Sequence, residues 1–271
     1  MKKLFFYLII VFLVGCEKKS DHLIKSEDLN LLVVDGMITN EHAPQTIRLT
    51  RTVSELNAVP QTVSGAHIML SDSIFNFNFD EETSNPGVYQ THWPFFAKKN
   101  VEYTLLITVD GKTYTAKTYM VQNGPFNSLK YQKNTSDDLY HIIWIENPYD
   151  AVHPAMFRIS LDWSKVPGYT TLDPSTCKAT LYYYTLPTLD VGEIFAPEIQ
   201  QINFPLGTRI YEKKYSMNPE YTEFIRAMIS ETTWKGGLFD SAPANVPTNM
   251  SEGAIGFFTA CEVFSDSLVV Q

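Results

Sequence analysis

One hairpin constrains this chain more than any other stretch. Val101, Tyr103, Leu105, Ile107 and Val109 fall on alternate positions and share one face of a strand. Asp110 and Gly111 follow, two residues that tolerate the positive φ demanded by a two-residue turn between antiparallel strands. Tyr114, Ala116, Thr118 and Met120 carry the chain back. A period of two cannot bury one face of a helix, so this segment commits its surroundings to antiparallel sheet. Composition agrees: 17 Phe, 15 Tyr and four Trp in 271 residues favour pleated structure, and 44% hydrophobic residues suffice for a real core.

The same punctuation runs upstream. Leu31 to Thr39, Thr46 to Thr52, Val63 to Leu70 and Ile74 to Phe79 read as short strands, and Pro86-Gly87 turns the chain into Val88 and Tyr89. About seven strands in about 90 residues predict an antiparallel β-sandwich of immunoglobulin or transthyretin-like layout over residues 30–121. Val121 to Phe126 breaks the pattern and marks a domain boundary. A second β-rich domain follows over 127–271, with strands at Leu129 to Gln132, Leu139 to Glu146, Ala155 to Trp163 and Ala179 to Thr185. Asp190 to Gly207 is irregular and apolar, either a packed loop or part of a binding surface. One helix is predicted near 219–234. Asn218 caps it, Pro219 takes its first position, and Tyr221, Phe224, Ile225, Met228 and Ile229 form one apolar stripe. Its expected role is packing on the second sheet, with partner docking as the alternative. Gly253 and Gly256 signal a bulge or a close backbone approach before a strand through Ala260, and Ser267 to Val270 forms a last short strand.

The N-terminus speaks to location. Lys2 and Lys3 precede an apolar run from Leu4 to Val14, and Leu13, Val14, Gly15 and Cys16 match a bacterial lipobox. The expectation is a signal peptide over 1–15, a diacylglycerol on the Cys16 thiol and a fatty acid such as palmitate on its amino group. Residues 16–29 are polar and charged and read as a tether. The apolar run is about half of the roughly 20 residues that a membrane span needs. Several acyl chains at about 0.8 kcal/mol per CH2 hold a protein on a bilayer almost permanently. The formal charge of −9 and the lack of a basic stripe argue against nucleic acid as a partner. Cys177 and Cys261 remain after Cys16 is lipidated; an even pair in an exported protein suggests one disulfide, with two buried thiols as the alternative.

Chemistry is hard to find along the chain. The six histidines show no metal-ligand spacing, and His67 and His141 sit inside strands. Asp80, Glu81 and Glu82 lack the alternating oxygen ligands of a calcium loop and read as a solvated turn. Trp163, Tyr182 and Tyr184 are candidates for a ligand-stacking platform, with aromatic strand core as the structural alternative. Asp72-Ser73, Asp240-Ser241 and Asp266-Ser267 resemble short O-glycosylation sequons, of which Asp240-Ser241 best fits an exposed loop. No catalytic residue, metal site or cofactor motif is assigned.

The helix followed by Gly236 to Phe239, Pro243 to Val246, Thr248-Asn249 and Gly253 to Phe258 resembles a Bacteroidetes lipoprotein family known as domain-of-unknown-function family 4249. Leu32 to Thr39 and Val63 to Ala66 look like that family too. The resemblance implies an outer-membrane lipoprotein, often encoded near TonB-dependent receptors and displayed on the surface or the periplasmic side, and brings no catalytic residues. The expectation is a non-enzymatic accessory or ligand-binding component beside such a transporter. A hydrolase whose site is invisible in sequence, or a structural or adhesive envelope protein, are the alternatives.

Overall fold

The computed structural model describes residues 30–55, 57–188, 202–233 and 246–271. The protein is mainly β, as predicted. Among the described residues, seven strands precede residue 120: β1 (Leu32–Thr39), β2 (Thr46–Arg51), β3 (His67–Ser71), β4 (Asn76–Glu81), β5 (Val88–Thr91), β6 (Glu102–Val109) and β7 (Lys112–Tyr119). The β6–β7 hairpin is in full register, Tyr103 opposite Thr118 and Ile107 opposite Tyr114. Asp110 and Gly111 carry φ of 51° and 73°, the positive values that the turn chemistry predicts.

The second part holds β8 (Lys130–Lys133), β9 (Leu139–Trp144), β10 (Ala155–Asp162), β11 (Lys178–Thr185), β12 (Phe204–Pro205), β13 (Arg209–Ser216), α1 (Pro219–Thr233), β14 (Ala254–Cys261) and β15 (Val263–Val269). A four-stranded sheet runs β11-β10-β13-β15, and a three-stranded sheet runs β12-β9-β8. Phe157, Ile159, Leu161, Phe204 and Ile210 are buried in the core between them.

β14 crosses the expected boundary at 122–126. It pairs in parallel with β1, from Leu32 opposite Ala254 to Thr39 opposite Cys261. The first sheet therefore has eight strands in the order β14-β1-β2-β5-β4-β3-β6-β7. It then rolls on itself, so that two layers face each other within one sheet. Ala116 bridges Met250, and the Ser251 N–H donates to the Thr115 carbonyl at 2.8 Å. Asn249 ties the seam from both sides. Its Nδ2 donates to the Lys117 and Phe258 carbonyls at 2.9 and 2.7 Å, and its Oδ1 accepts the Phe258 N–H at 3.0 Å. The result is a nearly closed barrel filled by Leu32, Ile38, Leu49, Leu70, Tyr103, Leu105 and Phe258.

From Phe257 to Cys261, β14 is buried on both faces, which explains why apolar residues there do not alternate with exposed polar ones. Phe258 points into the barrel, whereas Phe257 packs outside it with Tyr221 and Phe224 of α1. The helix is a wedge between barrel and four-stranded sheet, with Met156, Tyr215, Tyr221, Ile225 and Val263 in one cluster. Asn218 caps α1, accepting the Tyr221 N–H at 2.9 Å while its amide donates to Thr118 Oγ1 and the Tyr119 carbonyl of β7. One side chain thus starts the helix and pins it to the barrel.

Candidate functional site

β4 builds the most distinctive surface. Its Phe77 and Phe79 face the barrel interior, so Asn76, Asn78 and Asp80 stand in a row on the exposed face. Asn and Asp are depleted in strands, and three in succession run against propensity. Neither Asn76 nor Asn78 spends its side-chain amide on a hydrogen bond among the described residues. β5 lies alongside, and past its end the His92 N–H donates to the Asn78 carbonyl at 3.1 Å. That bond brings His92 Nδ1 to 2.5 Å from Asp80 Oδ2 and sets Trp93 beside it, the two rings 4.9 Å apart and nearly perpendicular. The indole is 73% exposed. Together these residues line an open groove of about 340 Å³.

The groove sits on the rim where β1 ends, since the register runs from Met37 through Thr46 and Gln90 to Asp80. Leu32, where the chain enters from residues 16–29, lies at the other end of β1, five residue steps or roughly 17 Å from Met37, the position level with Asp80.

The three neighbouring acidic residues have different roles. Asp80 joins the groove. Glu81 accepts the Gly65 and Gly87 N–H groups at 2.9 and 2.8 Å, which hold its carboxyl below the ordinary range. Glu82 accepts from Gln90. No group of three His, Cys, Asp or Glu suited to a metal occurs among the described residues.

The predicted stacking residues do not come together. Tyr182 and Tyr184 share the face of β11 that carries Tyr184 toward the helix, opposite Arg158 and Met156. Tyr182 is 56% exposed, whereas Tyr184 packs toward the helix cluster. Trp163 packs on the other face of that sheet with Leu181 and Tyr183. Alternation along β11 separates them, so the platform is not formed. Cys177 and Cys261 are both buried and free: Cys177 ends a 3-10 turn near Tyr169, and Cys261 ends β14 under the helix. The disulfide is absent and two buried thiols stand in its place; burial pushes the Cys261 thiol up to about 12. Cys16, the stretch 189–201 and Asp240-Ser241 lie outside the described residues.

Sequence reasoning missed a second feature, a buried charged network on β13. Glu212 and Lys214 both point into the core between the two smaller sheets, and Glu212 is 2% exposed. Its Oε2 accepts the Leu129 N–H at 3.3 Å and its Oε1 has no partner. Burial raises its carboxyl to about 7. Lys214 Nζ donates to the Pro125 carbonyl at 2.6 Å and lies 5.4 Å from the Phe157 ring centroid; burial lowers its pKa. Glu262 accepts the Asn123 N–H at 2.7 Å and pairs with Lys99 at 2.7 Å. The Asn123 amide donates to the Lys214 and Glu262 carbonyls. Apart from the Lys99–Glu262 pair, these bonds all reach residues 123–129, so the network fastens the connection between barrel and second unit. A cleft of about 350 Å³ beside the helix start, lined by Val152, Pro154, Pro187 and Met217, is mostly apolar.

No curated protein matches this chain. The sequence model described as "Domain of unknown function (DUF4249)" matches residues 19–267, nearly the whole length. The chain belongs to the DUF4249 family.

Proposed function

We propose that this chain is a lipid-anchored, non-enzymatic binding component that works beside a TonB-dependent outer-membrane transporter. Its Cys16 lipid holds it to the outer membrane, and the β4–β5 groove is its ligand-binding face. The observation that carries the reading is the groove itself: an exposed indole and two unspent amides on the rim remote from the entry of the tether. A ligand bound there is held clear of the bilayer and within reach of a neighbouring transporter. The buried Glu212 has the raised pKa of a general acid, yet it is enclosed and its remaining oxygen holds a backbone amide, which favours a structural role.

The test is a C-terminally tagged chain, solubilised from outer membranes in mild detergent and captured with its companions for mass spectrometry. A stoichiometric TonB-dependent transporter is the expected companion. A solitary lipoprotein under conditions that preserve other transporter complexes would remove the accessory role. The Cys16→Ala variant is expected to leave the membrane fraction.

A further inference from the structure

Resting on the reading of the β4–β5 groove as a binding face, we propose that its ligand is a neutral glycan. One sugar ring stacks on Trp93, and the hydroxyls bond to Asn76, Asn78 and Asp80. The argument is chemical complementarity. A pyranose offers an apolar C–H face and a rim of hydroxyls, each both donor and acceptor. An indole that is 73% exposed supplies a flat apolar surface on which the C–H face of a sugar ring can stack.

The primary amides of Asn76 and Asn78 each carry donors and an acceptor, the pairing that vicinal hydroxyls need. The Asp80 carboxylate accepts only, and its contact with His92 Nδ1 fixes its orientation beside the indole. The row from Asn76 to Asp80 spans four residue steps, roughly 13 Å, enough for more than one sugar ring. Among the described residues no lysine or arginine lines the groove, and the Asp80 carboxylate there, in a protein of net charge −9, repels uronates, sulfates and phosphates. The row is hard to explain otherwise. Solvent-facing strand positions gain from Thr, Val or Tyr, so Asn, Asn and Asp in succession sacrifice strand preference for hydrogen-bonding capacity.

The test uses the mature lipoprotein in detergent with a panel of neutral oligosaccharides (malto-, cello- and manno-series) and one acidic series, oligogalacturonate. Binding is read by calorimetry and by tryptophan fluorescence. At least one neutral series is expected to bind. Trp93→Ala should weaken it about tenfold or more and Asn78→Ala severalfold, with unchanged melting temperature because both side chains are exposed. Tyr182→Ala, on a remote exposed face, should bind like the wild type. Failure of every neutral series at millimolar concentration, a preference for oligogalacturonate, or full binding by Trp93→Ala overturns the glycan assignment. Co-purification of the transporter is read separately: with it present and no glycan bound, the sugar class falls and the accessory role stands.

Discussion

At the scale of single residues, Glu212 is a costly group to bury. A carboxylate shut away from water with one unpartnered oxygen prefers to keep its proton. Its carboxyl titrates near 7 in the folded protein, against an ordinary value of 4.5. Below pH 4.5 both states hold the proton and the contribution to stability is fully present. Between 4.5 and about 7 the unfolded chain releases it while the folded chain keeps it, so stability falls as pH rises, and above about 7 the contribution is gone. At about 1.4 kcal/mol per pH unit the loss amounts to roughly 3 kcal/mol. Glu212→Gln, which keeps the shape and removes the charge, should flatten this decline. Urea midpoints at pH 5 and pH 8 check it, and an equal pH dependence in wild type and variant would sink the account. The same residue explains a miss. Glu212 and Lys214 occupy inward positions of β13, so the alternation that announces a strand elsewhere reads there as a charged stretch.

At the scale of elements, the pairing of β14 with β1 depends on a missing Cβ at Gly256. Gly256 has φ of +92°, and a Cβ placed on it would lie 2.0 Å from the Val34 carbonyl oxygen. No side chain fits without separating the strands. Gly256→Ala is therefore expected to destabilise by about 3 kcal/mol or more, lowering the melting temperature by roughly 6–12 °C. Gly111→Ala is the control: its φ is +73° but open space surrounds it, so only the left-handed strain of about 1 kcal/mol applies. Calorimetric melts of the two variants should differ severalfold in their shifts; equal shifts would mean that the close approach contributes nothing.

At the scale of the whole molecule, the barrel is completed by residues more than 200 positions from the strand they flank. Without β14, β1 has an open edge, and the interior lacks Met250, Ala254, Phe258 and Ala260. A fragment of residues 30–126 is expected not to fold cooperatively, although it contains seven of the eight strands. A sigmoidal thermal transition for that fragment, followed by circular dichroism, would show the barrel to be self-sufficient. Closure of so distant a pair also places this chain among slow-folding topologies, because loop entropy is lost before the contact forms.

Residue order alone determined the local pieces: the β6–β7 hairpin from its alternation and Asp-Gly turn, the helix from Asn218 and Pro219, and the family from its motifs. Those signals survive because turns, caps and alternation are set by consecutive residues. Tertiary structure decided the rest. The parallel pairing of β1 with β14, the separation of Trp163 from Tyr182 and Tyr184, and the distance between the two thiols follow from which faces bury against which. The groove belongs to the same class: Asn76, Asn78 and Asp80 were visible as polar positions, and only the register of β4 against β5 sets Trp93 beside them. Long-range register is fixed by burial of whole faces, a property that no short window of sequence contains.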